Sequence, residues 1–357
     1  MPAQRDTLPG MRALDVLSQG EVHPDVGHAC DVALQERAPR YADRLTLRGY
    51  RLAGEVLSLG RYHLAPDGDR GGRVRLHRRL GGGRVLALGP EFAVVSLVMP
   101  HRSALVGDDP LALQPAQVLN RCVRGVLGGL RALGVEAFYP GRDRLTMARR
   151  TVGMVSLDVA ASQATVFEAI LAVENGWASH ADRLSAADPT GVTATALLPA
   201  DEVATLAEAV PAVPSLDELV HVIASAFAAQ FGLSPQPAEA VPIPADAGAR
   251  AAAWVGWRRP RPDLDRHGVA WTQLGVVDVY LRMHADAVDE VLLAGDFIAD
   301  APGIELLQDR LRGCPATEAA LRRRFEDVYG DPRHFLLGVG SGELLVDAIL
   351  RAAGARP

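Results

Sequence analysis

The sequence predicts an α/β (α+β) protein in two parts, a larger mixed domain followed by a small α+β domain, and three observations carry that expectation. The chain has 357 residues, more than one small domain uses. Apolar strand-like runs alternate with amphipathic helical stripes as far as Gly232. A segment dense in Pro and Ala then breaks the pattern before strands and helices resume. Hydrophobic residues at 48% and charged residues at 22% allow a buried core and exclude wholesale disorder.

Taken in order, Arg44 to Arg48 (RLTLR) and Glu55 to Leu59 (EVLSL) alternate polar and apolar residues, as half-buried strands do. Phe92 to Met99 (FAVVSLVM), bounded by Pro90 and Pro100, reads as a buried strand. Pro115 to Gly134 is the clearest helix: Val118, Leu119, Cys122, Val123, Val126, Leu127, Leu130 and Leu133 form one stripe, with Pro in the first turn and Gly at the carboxyl cap. A turn, Tyr139 to Asp143, leads to short apolar stretches up to Leu171, and Asp217 to Gly232 reads as a second helix. Ser234 to Ala253 reads as a linker. Beyond it, Val276 to Met283 and Val288 to Leu293 suit two strands, and Ala301 to Arg312, Thr317 to Tyr329 and Gly342 to Ala353 suit three helices.

Every one of the 37 Lys+Arg residues is arginine, which excludes mechanisms that need a lysine amine, such as a Walker-type loop or a pyridoxal Schiff base. A net charge of -6 argues against general nucleic-acid binding. Cys30, Cys122 and Cys314 are odd in number and far apart, which fits a reducing cytoplasm better than a disulfide framework. The amino terminus lacks the apolar core of a signal peptide, and no run is long enough to span a bilayer, so no membrane role is expected. The ten histidines show no metal-binding pair; His77 and His101 flank the glycine segment described next. Trp254 and Trp257 suit packing, and Arg322-Arg323-Arg324 suits a solvated helix face or the steering of an acidic partner.

The strongest chemical signal is Arg78-Arg79-Leu80-Gly81-Gly82-Gly83-Arg84. Glycines let backbone amides approach a ligand, and guanidinium groups on both sides supply charge for phosphate or carboxylate. By residue type alone, the commoner reading is a glycine turn between two strands with solvated arginines.

RRLGGGRVLALGPEFAVVSLV resembles the lipoate-protein ligase and octanoyltransferase pattern R-R-x-[ST]-G-G-[GR]-A-V-x-H-D, with Arg78, Arg79, Gly82, Gly83 and Arg84 in register. LSLGRYH, with Gly60 and Arg61, is similar to the family's G-R-x-Q segment. ALGVEAFYPGRDRL is similar to its A-L-G-V and G-R-N-D segments, matched at Leu133, Gly134, Val135, Gly141 and Arg142. WVGWRRPRPD, VVDVYLRM, GDF and LQDRLRGC look like the accessory domain of the larger ATP-using ligases, with Trp254, Trp257, Leu311, Gly313 and Cys314 at the recurring positions. The resemblance covers about Arg44 to Tyr329.

The resemblance implies a biotin/lipoyl-synthetase-like mixed-sheet catalytic domain over 1–235, a linker over 236–253 and an accessory domain over 254–357. It implies activation of lipoate or octanoate with ATP and Mg²⁺ as an acyl-adenylate, then transfer to a lysine of a lipoyl acceptor domain. Arg78, Arg79, Gly81, Gly82, Gly83, Arg84, Gly141, Arg142, Asp143 and Gly153 would bind nucleotide and acyl group, and Asp143 would help hold Mg²⁺. The family's K-[IV]-[SA]-G lysine falls on Arg150, within RRTVGM, so Arg150 would supply the catalytic cation. That exchange is not neutral, because a planar guanidinium needs more room than an ammonium.

Other positions depart from the pattern. Leu88 and Gly89 replace His-Asp, Asp143 and Arg144 replace Asn-Asp, and Phe167-Glu168-Ala169-Ile170 stands where H-G-T-L is expected. The thiol-relay branch needs a cysteine where Glu136-Ala137-Phe138 lies, while Cys122 sits on an apolar helical stripe. These departures also admit a non-catalytic acyl-binding or acceptor-domain partner protein.

Overall fold

The computed structural model describes residues 13–65, 75–174, 202–340 and 342–354. The amino-terminal residues 1–12, read above for a targeting signal, lie outside the described residues. Strands β1 (Ala13–Val22), β2 (Arg44–Leu52), β6 (Phe92–Met99), β7 (Ala137–Phe138), β8 (Arg144–Met147), β9 (Arg150–Val159), β10 (Thr165–Ala172) and β11 (Ser234–Pro237) form one eight-stranded sheet. Their order is β11-β1-β2-β6-β10-β9-β8-β7. Pairing is parallel at β11-β1-β2 and antiparallel across the rest.

Strand alternation divides the sheet into two unlike faces. On one face Leu45 and Leu47, then Ala93, Val95 and Leu97, then Phe167, Ala169 and Leu171 meet the helices α2 (Pro115–Ala132) and α3 (Leu216–Phe231) in the main core. The α2 stripe runs as its periodicity predicts, through Val118, Cys122, Val126 and Leu130. On the opposite face a polar row crosses four strands in register: Arg48 pairs opposite Ser96, Ser96 opposite Glu168, and Glu168 opposite Ser156. All four are buried.

The polar face is covered by α1 (Pro24–Arg37) and by a three-stranded sheet ordered β4-β3-β5, made of β3 (Val56–Leu59), β4 (Arg75–Arg78) and β5 (Leu86–Leu88). The glycine turn joins β4 to β5. Helix α1 carries no clear apolar stripe because its inner face serves the polar row. Asp31 takes a 2.5 Å hydrogen bond from Arg48 Nη1, and Gln35 donates to Asp158 Oδ2 at 2.7 Å.

The segment expected to be a linker carries structure of its own. Ser234 to Pro237 forms β11 beside β1, and Ala247–Val255 forms helix α4. Its Ala-rich end, AGARAAA, is strong helix-forming sequence, and alanine density there outweighs the lack of a long period. After α4 come β12 (Arg266–Trp271), β13 (Val276–His284) and β14 (Ala287–Gly295) in an antiparallel sheet, then β15 (Ile298–Ala299), α5 (Ala301–Leu311), α6 (Glu318–Tyr329), β16 (Leu336–Leu337) and α7 (Glu343–Ala353). Val277, Val279, Leu281 and Leu293 pack with Ile304, Leu307, Leu321 and Ile349 into a second core. Among the described residues no helix is long and apolar enough to cross a membrane, and the three cysteines are free and buried.

Candidate functional site

The neighbouring residues Arg78 and Arg79 point to opposite sides, as adjacent residues leaving a strand must. Arg79 turns inward and closes the glycine turn from beneath. Its Nη1 donates to Ser58 O at 2.9 Å, its Nη2 donates to Arg84 O at 2.6 Å, and its Nε lies 3.6 Å from Glu168 Oε1. Arg78 turns away and is 0% exposed. It donates to the carbonyls of Gly60, Arg61 and His63 and, across the junction, to those of Trp254 and Val255. No carboxylate among the described residues lies within ion-pair reach of it. Burial, followed by the charges of Arg258 and Arg61, brings its guanidinium down to about 9.

Arg84 completes the turn by donating from Nε to Asp143 Oδ2 at 2.8 Å. Asp143 is 1% exposed; burial pushes its carboxyl up while Arg84 opposes the rise. Arg79, Gly82, Gly83, Arg84 and Asp143 therefore meet at one place, joined by Ser156 and Glu168 from the polar row. Arg79 Nε, Glu168 Oε1 and Asp143 Oδ1 have no hydrogen-bond partner there. The cavity they enclose measures ≈ 10 Å³, room for roughly one water molecule.

The hollow is small because the carboxy-terminal part caps it. Gly83 N donates to Phe297 O at 2.8 Å. A Cβ on Gly82 would meet Phe297 O at 2.1 Å and Ile298 Cα at 3.0 Å. Tyr62 stacks on Phe297 at 4.4 Å between centroids and donates to Ala299 O at 2.9 Å. His63 Nε2 sits 3.2 Å from Gly83 O and 3.1 Å from Asp296 Oδ1. The glycines are needed here for close approach: a Cβ on Gly81 would strike Ser156 Oγ at 2.4 Å.

The remaining sequence candidates lie elsewhere. Arg150 opens β9, and six residues of strand, ~20 Å, separate it from Ser156. It pairs with Glu208 at 2.5 Å and donates to Val203 O. Gly153 is packed between Leu171 and Leu145 in the core. Gly141 takes a φ of 87° in an open turn, and Arg142 beside it is exposed. His77 is buried against Ser58 Oγ at 3.1 Å, and burial, then neighbouring His28 and Arg79, lower it to about 3, so it stays neutral.

Glu168 was not a site candidate in the sequence, yet it stands at the centre. Its signal was a lone carboxylate inside the apolar run TVFEAILA, which only a strand covered on both faces makes costly. It is 7% exposed, and burial raises it to about 7 against the opposing charge of Arg79. The folded chain thus holds this proton over a range in which the unfolded chain has lost it. Stability is fully present below the unfolded carboxyl value of about 4.5 and falls as pH rises toward 7, by about 1–3 kcal/mol. Glu168→Gln, which resembles the protonated form, is expected to match the native chain near pH 4.5 and to exceed it in urea denaturation near pH 8. A variant markedly weaker than the native chain at pH 8 would show that the Arg79 pair outweighs burial.

No protein-family model and no curated protein matches the chain. Its fold is similar to solved lipoate-protein ligase structures. With P. falciparum LipL1, solved in complex with lipoate, the TM-score is 0.68 at 9% identity, covering 95% of this chain and 100% of that one. With a bi-partite lipoate protein ligase from Thermoplasma acidophilum, described with its E2 lipoyl domain, it is 0.52 at 18% identity, covering 70% and 99%. At these identities the likeness is one of fold.

Proposed function

We propose that this chain is a lipoate-protein ligase-like enzyme that activates lipoate or octanoate with ATP and transfers the acyl group to a lysine of a lipoyl acceptor domain. One observation carries the reading. Arg79, Arg84, Asp143 and Glu168 are gathered and buried around a glycine turn on the polar face of the sheet, and Arg79 Nε, Asp143 Oδ1 and Glu168 Oε1 are left without a hydrogen-bond partner. A fold gains little from such a cluster, since apolar packing of the same volume is often as stable. An anionic ligand gives it a purpose. The whole-chain fold likeness to a lipoate-bound ligase supports the choice of acid.

In this arrangement the turn has no space for a nucleotide, so the proposed reaction begins with Gly295 to Ala299 lifting from Gly82 and Gly83. The freed Gly83 amide and the Arg79 and Arg84 guanidinium groups would then stabilise charge on carboxylate and phosphate oxygens during adenylation. For Mg²⁺ the fit is modest but real: Asp143 Oδ1 is unpartnered, and one carboxylate suffices where phosphates supply further ligands. No group of three or more metal-ligating side chains occurs among the described residues. The acceptor brings the nucleophilic lysine, so none is required of this chain.

A second reading, an acyl-binding or acceptor-domain partner without ligation, is favoured by the closed turn and by the Arg150–Glu208 pair. The protein mixed with lipoate, ATP, Mg²⁺ and a lipoyl acceptor domain separates the two. Intact mass should show the acceptor heavier by one lipoyl group only when ATP is present; acyl binding without ATP-dependent product supports the partner reading. Repeating the measurement with Arg150→Ala assigns that residue: loss of product places it in the reaction, and unchanged product removes it.

A further inference from the structure

A second cleft, of ≈ 390 Å³, opens between the Gly256–Arg261 turn and α5, apart from the glycine turn. Tyr62, Trp257, Arg258, Arg259, Glu305 and Gln308 contribute to its lining. Its volume lies within the usual range for small-molecule sites.

The charges around it are out of balance. Arg258 is 7% exposed, donates from Nη2 to Leu293 O, and keeps Nε buried without a partner. Among the described residues Arg259 donates only to Gly256 O. Among the described residues neither has a carboxylate within ion-pair distance. Arg261, the third arginine of the lining, is neutralised by Asp263 and Glu290. Glu305 is the one acidic residue in the lining, so the two unpaired guanidinium groups of Arg258 and Arg259 against one carboxylate leave a surplus of one positive charge.

An aromatic wall adjoins that surplus. Trp257 is 42% exposed and stacks on Trp254 at 5.0 Å. Arg258 lies 5.4 Å from the Trp257 ring centroid and 5.6 Å from that of Tyr62. A buried guanidinium with an unused donor is costly unless an anion answers it. The surplus draws an anion, and a phosphoryl group has three oxygens with which to accept from both guanidinium groups at once.

We propose that this cleft binds a small phosphorylated compound, its phosphoryl group held by Arg258 and Arg259 and a flat ring laid on Trp257. The site stands independently of the ligase reading, because none of its residues lines the hollow at the glycine turn.

Phenyl phosphate is the probe, titrated into the full chain at fixed ionic strength, with heat of binding and tryptophan fluorescence as readouts. Saturable binding that quenches fluorescence is expected, with Arg259→Gln weakening it about tenfold, the loss of one charge-assisted contact. Trp257→Leu should remove the quenching and weaken phenyl phosphate while leaving inorganic phosphate unchanged. Arg258→Gln should weaken binding most, but Arg258 is buried, so the exposed Arg259 carries the decision should that variant fail to fold. Binding equal in native, Arg259→Gln and Trp257→Leu chains overturns the proposal. So does benzoate binding as tightly as phenyl phosphate, or no binding at all.

Discussion

Arg78→Ala is expected to lower stability by about 3–5 kcal/mol, the range for stripping partners from several buried groups at once. The side chain is fully enclosed and serves five carbonyls, three from the 60–63 turn and two from the end of α4. Removing it takes a donor from all five, leaving Gly60 O with His63 N and Trp254 O with Trp257 N, and disconnects the glycine segment from Trp254 and Val255. Urea denaturation should report the loss, and limited proteolysis should find the 254–354 region cut sooner. Arg78→Lys should rescue little, since three donors on a point charge cannot reproduce a planar fork. A stable Arg78→Ala protein with weakened nucleotide binding would return Arg78 to the ligand, as the family resemblance implies.

Gly82→Ala should cost about 1–3 kcal/mol, the usual penalty for overpacking. Its new methyl would fall on main-chain atoms, Phe297 O and Ile298 Cα, which cannot swing aside as a side chain can. The 295–299 segment must move, breaking the Gly83 amide bond to Phe297 O and the stacking of Tyr62 on Phe297. Amide hydrogen exchange should therefore quicken at Gly83 and across 295–299 while α2 and α3 keep their protection. Unchanged exchange at Gly83 would show that the cap tolerates the methyl and is not held by close approach.

The main core was legible because its signals are local. The strand Phe92 to Met99 is an unbroken apolar run between prolines and the helix from Pro115 shows plain periodicity, and both formed with nearly the expected bounds. Helix α1 escaped notice because Asp31 and Gln35 face inward to partners far along the chain, which spoils the apolar stripe. The polar row was invisible for the same reason: Arg48, Ser96, Glu168 and Ser156 become neighbours only through strand register. The glycine motif marked where a hollow lies but not which of its arginines faces it. Arg79 and Arg84 do border the hollow, whereas Arg78, read as a phosphate ligand, binds main chain. The cap over the turn depends on contacts between residues more than two hundred positions apart, which one sequence does not disclose.

Strand β11 has one further consequence. Among the described residues it is the outermost strand on its side of the large sheet, and Pro235 and Pro237 stand opposite Leu14 and Val16. Two imino nitrogens in four positions leave that border without a continuous row of donors. A foreign strand therefore finds no template there, and fibrillar stacking through this border is blocked by the chain's own covalent chemistry.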